Sequence, residues 1–184
     1  MRVIGGTSRG RKLSAPPGSV TRPTSDRVRE SIFDILGSLS ASGRFRWEEA
    51  EVWDLFAGTG ALGIEALSRG AAAAVLVDQD RAAVDSIAAN LVATGLEGPR
   101  ARVERAEVLR WLAAPPPGPV DLVLCDPPYD YGDWAGLLEG LSRAQARLVV
   151  LESDRPLATG PAWTVLKHKR YGGTLVTVLE KGTP

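Results

Sequence analysis

The stretch EVWDLFAGTGALGIEALSRGAAAAVLVD, residues 51–78, contains a strand, a glycine-rich turn, a helix and a second strand. Its first six residues, EVWDLF, are apolar apart from Glu51 and Asp54 and read as a buried strand. ALGIEALSR reads as a helix, with Gly70 in the usual position just past a helix end. AAVLVD is then the next strand. A strand–helix–strand unit of this length implies a parallel pair joined by a crossover helix.

The same alternation continues downstream. DRAAVDSIAANLVATG reads as a helix capped by Asp80 and closed by Gly95. ARVERA and EVLRWLAA follow as strand and helix, stopped by the proline run at 115–117. VDLVLC, DWAGLLEGLSR and RLVVLE give strand, helix and strand. AWTVLKHK and TLVTVLE flank RYGG as a C-terminal hairpin. Upstream, Val28, Ile32, Ile35, Leu36 and Leu39 recur at helical spacing after a capping Thr24 or Ser25, and residues 40–50 read as a linker. The expected fold is α/β: a mostly parallel, doubly wound sheet with helices on both faces. Residues 1–13 read as a small hairpin or arm in front of it.

Composition narrows the class. The chain has 184 residues, 44% hydrophobic, enough for one domain with a sizeable core. The first residues lack an apolar signal stretch, and no apolar run is long enough for a membrane span. One cysteine, Cys125, precludes an intrachain disulfide and suggests a reducing cytoplasm. Net charge is zero, yet residues 1–30 carry seven positives against two negatives, and KHKR at 167–170 forms a second basic run. Such clusters suit a polyanion such as nucleic acid, or are simply solvated faces.

Gly58, Gly60 and Gly63 spell G-x-G-x-x-G, with Asp78 twenty residues after the first. That spacing alone fits a dinucleotide site or a plain tight turn. Asp54 bears on the choice. A carboxylate at the strand end repels a pyrophosphate but suits a ligand carrying an ammonium group. Asp78 can accept from ribose hydroxyls, and Glu107 from an adenine amino group. Three acids at three successive strand ends fit a cationic nucleoside, S-adenosylmethionine, although each singly could be a helix cap.

Asp126-Pro127-Pro128-Tyr129 ends the fourth strand and overhangs the same crevice. The amino group of a nucleobase is a poor nucleophile because its lone pair is delocalised into the ring. Two acceptors, the Asp126 carboxylate and the Pro127 carbonyl, can hold its N–H groups and let the nitrogen pyramidalise. Paired prolines keep those acceptors rigid, and Tyr129 offers a face for an extruded base. His168 reads as a phosphate contact or a surface residue, and Cys125 as core. No zinc site or other metal site is expected. Trp134 is a candidate lining of the base pocket.

Asp54-x-Phe56-x-Gly58-x-Gly60 together with DPPY resembles the class I, Rossmann-like S-adenosylmethionine methyltransferases that modify exocyclic base nitrogens. RVIGGTSRGRKL, RPTSDRVRESIFDIL, DLFAGTGALGIEALSRGA and DPPY resemble the bacterial 16S rRNA guanine-N2 methyltransferase family (guanine 966 in the usual rRNA numbering) over essentially the whole chain. The resemblance implies a seven-stranded sheet, with an RNA-binding segment at 1–22 and a methyltransferase domain at 23–184. It implies a cofactor pocket of Thr24, Asp54, Phe56, Gly58, Gly60 and Asp78, with Glu107 less firmly tied to adenine. The guanine would be held by Asp126, Pro127, Pro128 and Tyr129. RNA phosphates would be gripped by Arg2, Arg9, Arg11, Lys12 and Arg22. The partner would be 16S rRNA or a small-subunit assembly particle, and the protein a monomer. A DNA adenine-N6 methyltransferase and a non-catalytic ribosome-assembly factor are the alternatives.

Overall fold

The computed structural model describes residues 1–15, 26–114 and 119–182. Thr24, Arg22, the expected cap Ser25 and the proline run at 115–117 lie outside them. Seven strands form one sheet: β1 (Glu51–Leu55), β2 (Ala73–Asp78), β3 (Ala101–Arg105), β4 (Leu122–Cys125), β5 (Leu148–Ser153), β6 (Trp163–Tyr171) and β7 (Thr174–Lys181). Their order is β3-β2-β1-β4-β5-β7-β6. The first five are parallel, and β7 runs antiparallel to both β5 and β6. The chain winds outward from β1 to β3, then returns to place β4 on the other side of β1. That reversal leaves a crevice at the carboxyl ends of β1 and β4, where ligands bind in sheets of this kind.

The helices are α1 (Asp26–Ala41), α2 (Ala61–Ser68), α3 (Arg81–Thr94), α4 (Val108–Ala113) and α5 (Trp134–Arg143). Two apolar cores sandwich the sheet. One holds α1, α2 and α3 with Ile32, Phe33, Leu36, Ile64, Leu76 and Ile87. The other holds α4 and α5 with Trp53, Val75, Leu112, Leu137 and Leu141. β4 and β5 are buried along their whole length, as strands covered on both faces must be.

Element ends follow local chemistry. Asp80 accepts from the Ala82 N–H at the start of α3, and Gly95 closes it at φ 69°. The linker 40–50 is less plain than expected. It carries a 3-10 turn at Trp47–Glu49 and buries Phe45 edge-on against Trp47. α1 buries Val28, Arg29, Ile32, Phe33 and Leu36, leaving Ile35 and Leu39 half-buried. The helix is rotated toward Phe33, over whose ring the Arg69 guanidinium sits at 4.9 Å.

The N-terminal residues meet in a single bridge, Arg2 to Lys12, and lie docked on α2 and α3. The buried Glu65 carboxylate accepts from the N–H groups of Ile4 (2.7 Å) and Gly5 (2.8 Å) and from Arg69 Nε (2.8 Å). Thr7 N–H donates to the Ser68 carbonyl and Ser8 N–H to Ser68 Oγ. Val3 and Leu13 are buried in the core. The segment is therefore packed against the sheet domain along its length.

Candidate active site

The turn after β1 is built from three unusual backbone conformations. Phe56, Gly58 and Gly60 all have positive φ, at 61°, 56° and 75°. For Phe56 this left-handed geometry costs about 1–2 kcal/mol. Its ring meets Tyr131 edge-on at 5.1 Å. The glycines differ in what they permit. A Cβ on Gly58 would meet only the Phe56 carbonyl oxygen, at 4.0 Å, so that glycine supplies the turn, while a Cβ on Gly60 would stand 3.0 Å from Leu76 Cδ2. On Gly63 it would stand 2.8 Å from the same atom and 3.1 Å from Asp54 Cβ. The third glycine lets α2 lie directly on β1 and β2, and its N–H donates to Asp54 Oδ2 at 2.7 Å.

Asp54 is 1% exposed. Burial pushes its carboxyl well above the usual range; the Gly63 N–H pulls it back, and the charges of Asp126 and Asp78 push it up again. A buried carboxylate beside two others is an unfavourable anion until a cation arrives. Asp78 accepts from the Gly58 N–H (2.8 Å) through Oδ2 and from the Asp80 N–H (2.9 Å) through Oδ1, which ties β2 to the glycine turn. Glu107 is the N-cap of α4, its two oxygens accepting from the N–H groups of Leu109 and Arg110. It also borders a cleft of about 370 Å3 lined by Gln79, Arg105, Ala106 and Arg110. Helix capping and a strand-end position facing the cleft are both realised in this one residue.

β4 pairs Cys125 with Leu55 of β1 and with Leu151 of β5. Asp126 thus leaves the sheet beside Phe56. Pro127 is buried, and Pro128 and Tyr129 face solvent. The Pro128 carbonyl accepts from the Tyr131 N–H at 2.9 Å, closing the turn. Tyr129 is 54% exposed, with its hydroxyl 3.5 Å from Thr174 Oγ1. Cys125 is buried, which together with Asp54 and Asp126 holds the thiol neutral and unfit as a nucleophile.

Several site residues were not legible in the sequence. Tyr131 packs edge-on between Phe56 and Trp134 (5.2 Å), and burial, Asp133, Glu107 and Cys125 push its phenol up to about 12. Its hydroxyl and Trp134 Nε1 have no hydrogen-bond partner among the described residues. An aromatic two positions beyond Tyr129 was the available signal. Asn90, 2% exposed, donates to the carbonyls of Ser14 and Thr59 and accepts from the Ser14 N–H, strapping the N-terminal segment to the glycine turn. Met1 Sδ lies 3.7 Å from Thr59 Oγ1. The signals for this strap were a glutamate and an asparagine within apolar helical stretches.

Of the N-terminal cations, Arg2, Arg9, Arg11 and Lys12 are exposed. Arg29 is fully buried and bonded to Asp26 and the Arg2 carbonyl, so it adds nothing to the surface charge. Among the described residues no cluster of acids, histidine and cysteine could hold a metal ion, and no helix is long and apolar enough to cross a membrane.

The strand order, the glycine turn and the acids at neighbouring strand ends define a class I S-adenosylmethionine-dependent methyltransferase fold. The chain belongs to the family described as "Conserved hypothetical protein 95", whose model matches residues 1–180. It is 38% identical over 179 residues to "Ribosomal RNA small subunit methyltransferase D" of Escherichia coli strain K12, covering 94% of this chain and 85% of the relative. It is 36% identical to "Putative rRNA methyltransferase YlbH" of Bacillus subtilis strain 168, covering 98% and 99%. The solved structure "Putative methyltransferase yhhF from Escherichia coli" superposes with a TM-score of 0.84 at 33% identity, over 100% of this chain and 99% of that one.

Proposed function

We propose that this protein methylates ribosomal RNA, and that its target is the exocyclic N2 of a guanine in 16S rRNA, extruded from its helix. The observation that carries this reading is the closeness of Asp54 in β1 to Asp126 just past the end of neighbouring β4, near enough for the charge of Asp126 to raise the Asp54 carboxyl. One is a buried carboxyl held above its usual pKa, whose ionised form a bound cation would stabilise; the other is half-exposed and followed by a rigid turn. The printed names of the relatives support an rRNA substrate. The exposed Arg2, Arg9, Arg11 and Lys12 support a phosphate grip, to which the resemblance adds Arg22.

The acidic donor set fits S-adenosylmethionine, which when bound supplies a methyl group on a cationic sulfur. Asp54 would hold the ammonium of its methionine moiety and Asp78 the ribose hydroxyls. Glu107 and the cleft beside it would take the adenine. Phe56, Gly58 and Gly60 shape the turn between these groups, and Thr24 is assigned to the cofactor border by resemblance alone. The Asp126 carboxylate and the Pro127 carbonyl would accept from the guanine amino group and localise its lone pair. The same carboxylate stabilises the positive charge that grows on that nitrogen. Pro127 and Pro128 fix the acceptors, and the exposed Tyr129 ring stacks on the base. No side chain has to take a proton beforehand, since the alkylated amine is acidic. The division of 1–22 from 23–184 is one of role, RNA grip against chemistry.

The test is methyl transfer from labelled cofactor to unmodified 16S rRNA, followed by digestion to nucleosides. N2-methylguanosine is expected. N6-methyladenosine, or label in duplex DNA but not in RNA, would refute the reading. Binding to rRNA with no transfer under any condition would leave an assembly factor instead.

A further inference from the structure

β6 is the outer edge of the sheet, paired with β7 alone. Lys167, His168, Lys169 and Arg170 on it are exposed. Their cross-strand partners are Val178, Thr177, Val176 and Leu175, so no carboxylate stands opposite them. Among the described residues no ion pair engages Lys167, Lys169 or Arg170. His168 Nδ1 lies 3.0 Å from Thr177 Oγ1, Lys169 Nζ sits 5.0 Å over the Tyr171 ring, and the Tyr171 hydroxyl is bonded to Ser31 of α1.

Register fixes where this stripe lies. Cys125 pairs with Leu151, Leu151 with Thr177, and Thr177 with His168. β6 runs in the direction of the parallel strands, because it is antiparallel to β7 and β7 to β5. Asp126 and Lys169 are therefore level on the same edge of the sheet. Three strand spacings separate them, about 14 Å. The Tyr129–Thr174 contact spans part of that gap. Edge lysines often serve only to prevent strand pairing. Here a register shift between Val165 and Lys167 already interrupts the edge, and the uncharged stretch Trp163 to Leu166, with Val165 48% exposed, has no charge to protect it. The charge is gathered at the end beside the candidate site.

We propose that this edge, with Lys167 and Lys169 projecting from one face of the sheet and Arg170 from the other, is a second phosphate-binding stripe, which holds the rRNA strand flanking the target base. This rests on the rRNA reading above. The triple variant K167Q/K169Q/R170Q should flatten the dependence of log affinity on log salt for protein-free rRNA by about two units, at roughly 0.7 per single-strand phosphate. KM for rRNA should rise roughly 10- to 50-fold near 0.15 M salt with kcat within about twofold. S-adenosylhomocysteine binding should stay unchanged and Tm should fall by no more than about 2–4 °C, since all three side chains are exposed and only the Lys169–Tyr171 ring contact is lost. An unchanged slope in an active wild-type background overturns the stripe alone. A defect confined to protein-containing particles overturns it in favour of a ribosomal protein on this edge. Wild-type protein that binds no rRNA overturns both the stripe and the function beneath it.

Discussion

Gly6→Ala should detach the N-terminal segment. Gly6 has φ +74°, and a Cβ there would stand 1.8 Å from the Ser68 carbonyl oxygen, 2.2 Å from its carbon and 2.7 Å from the Arg69 nitrogen. Those atoms are backbone at the C-terminal end and cap of α2 and cannot swing aside, so the segment must lift by more than an ångström. The left-handed backbone alone costs an alanine about 1–2 kcal/mol. Lifting also breaks the bonds from Thr7 N–H to the Ser68 carbonyl, Ser8 N–H to Ser68 Oγ and Ser68 Oγ to the Gly5 carbonyl. At about 1 kcal/mol each, the total is about 4–5 kcal/mol before the Glu65 interactions are touched. At about 2–4 °C per kcal/mol for a chain of this size, Tm should fall by roughly 8–20 °C. Gly10→Ala is the control: Gly10 has φ +84° with nothing within 4 Å of its Cβ. It should lose the backbone contribution alone, about 1–2 kcal/mol. Thermal unfolding and tryptic cleavage after Arg9 and Arg11 would both read the difference. Equal stability of the two variants would refute the docking argument.

Three further outcomes are expected. Asp126→Ala should lower kcat for rRNA methylation by about 100- to 1000-fold while leaving S-adenosylhomocysteine affinity within about twofold, as for loss of one preorganised electrostatic group; single-turnover methyl transfer and calorimetry check this. Asp54→Asn should weaken cofactor binding about 10- to 100-fold, the value of one charged hydrogen bond. In the unliganded wild type, the raised Asp54 carboxyl adds stability at acid pH that is lost as pH rises through its folded value. The Asn variant should therefore unfold at a higher temperature than wild type at neutral pH, and wild-type cofactor affinity should climb with pH as Asp54 ionises; a variant no more stable at neutral pH contradicts the burial argument. Replacing Arg9, Arg11 and Lys12 by glutamine should lower the salt slope of rRNA binding by about 0.7 for each phosphate no longer gripped, measured by filter binding.

What the sequence announced was mainly local. β2 covers the AAVLVD stretch read as a strand, and α3 is bounded by Asp80 and Gly95, because period, cap and left-handed glycine act within a few residues. The acids at strand ends were visible because a parallel sheet aligns its carboxyl termini whatever the side chains. Contacts between distant segments were not visible. Nothing near Gly6 reveals that its missing Cβ makes room for Ser68, sixty-two positions on. Arg29 reads as a surface cation, yet lies buried between the Arg2 carbonyl and Asp26, where burial lowers its pKa more than Asp26 and Glu65 raise it. Phe33 was absent from the expected stripe of α1 because that helix turns its face toward Arg69 and Trp47. Tyr131 carries no motif, and its role comes from Phe56 across the strand reversal.

Two carboxylates buried in the same small domain show how structure separates support from function. Glu65 is fully buried and accepts from two backbone N–H groups and a guanidinium, so its charge is neutralised and bonded within the fold. Replacing such a group by a neutral one should loosen the N-terminal segment and leave the chemistry of the crevice intact. Asp54 is as deeply buried, yet it faces the Gly63 N–H and the like charges of Asp126 and Asp78. An amide could serve Gly63 equally well at less electrostatic cost. A carboxylate held in those surroundings makes physical sense if the missing positive charge comes from a ligand. On the proposed function the neighbouring turn would also have to be rigid: an acceptor beside a bound cation must not swing onto it, and Pro127 and Pro128 restrict the backbone that carries Asp126.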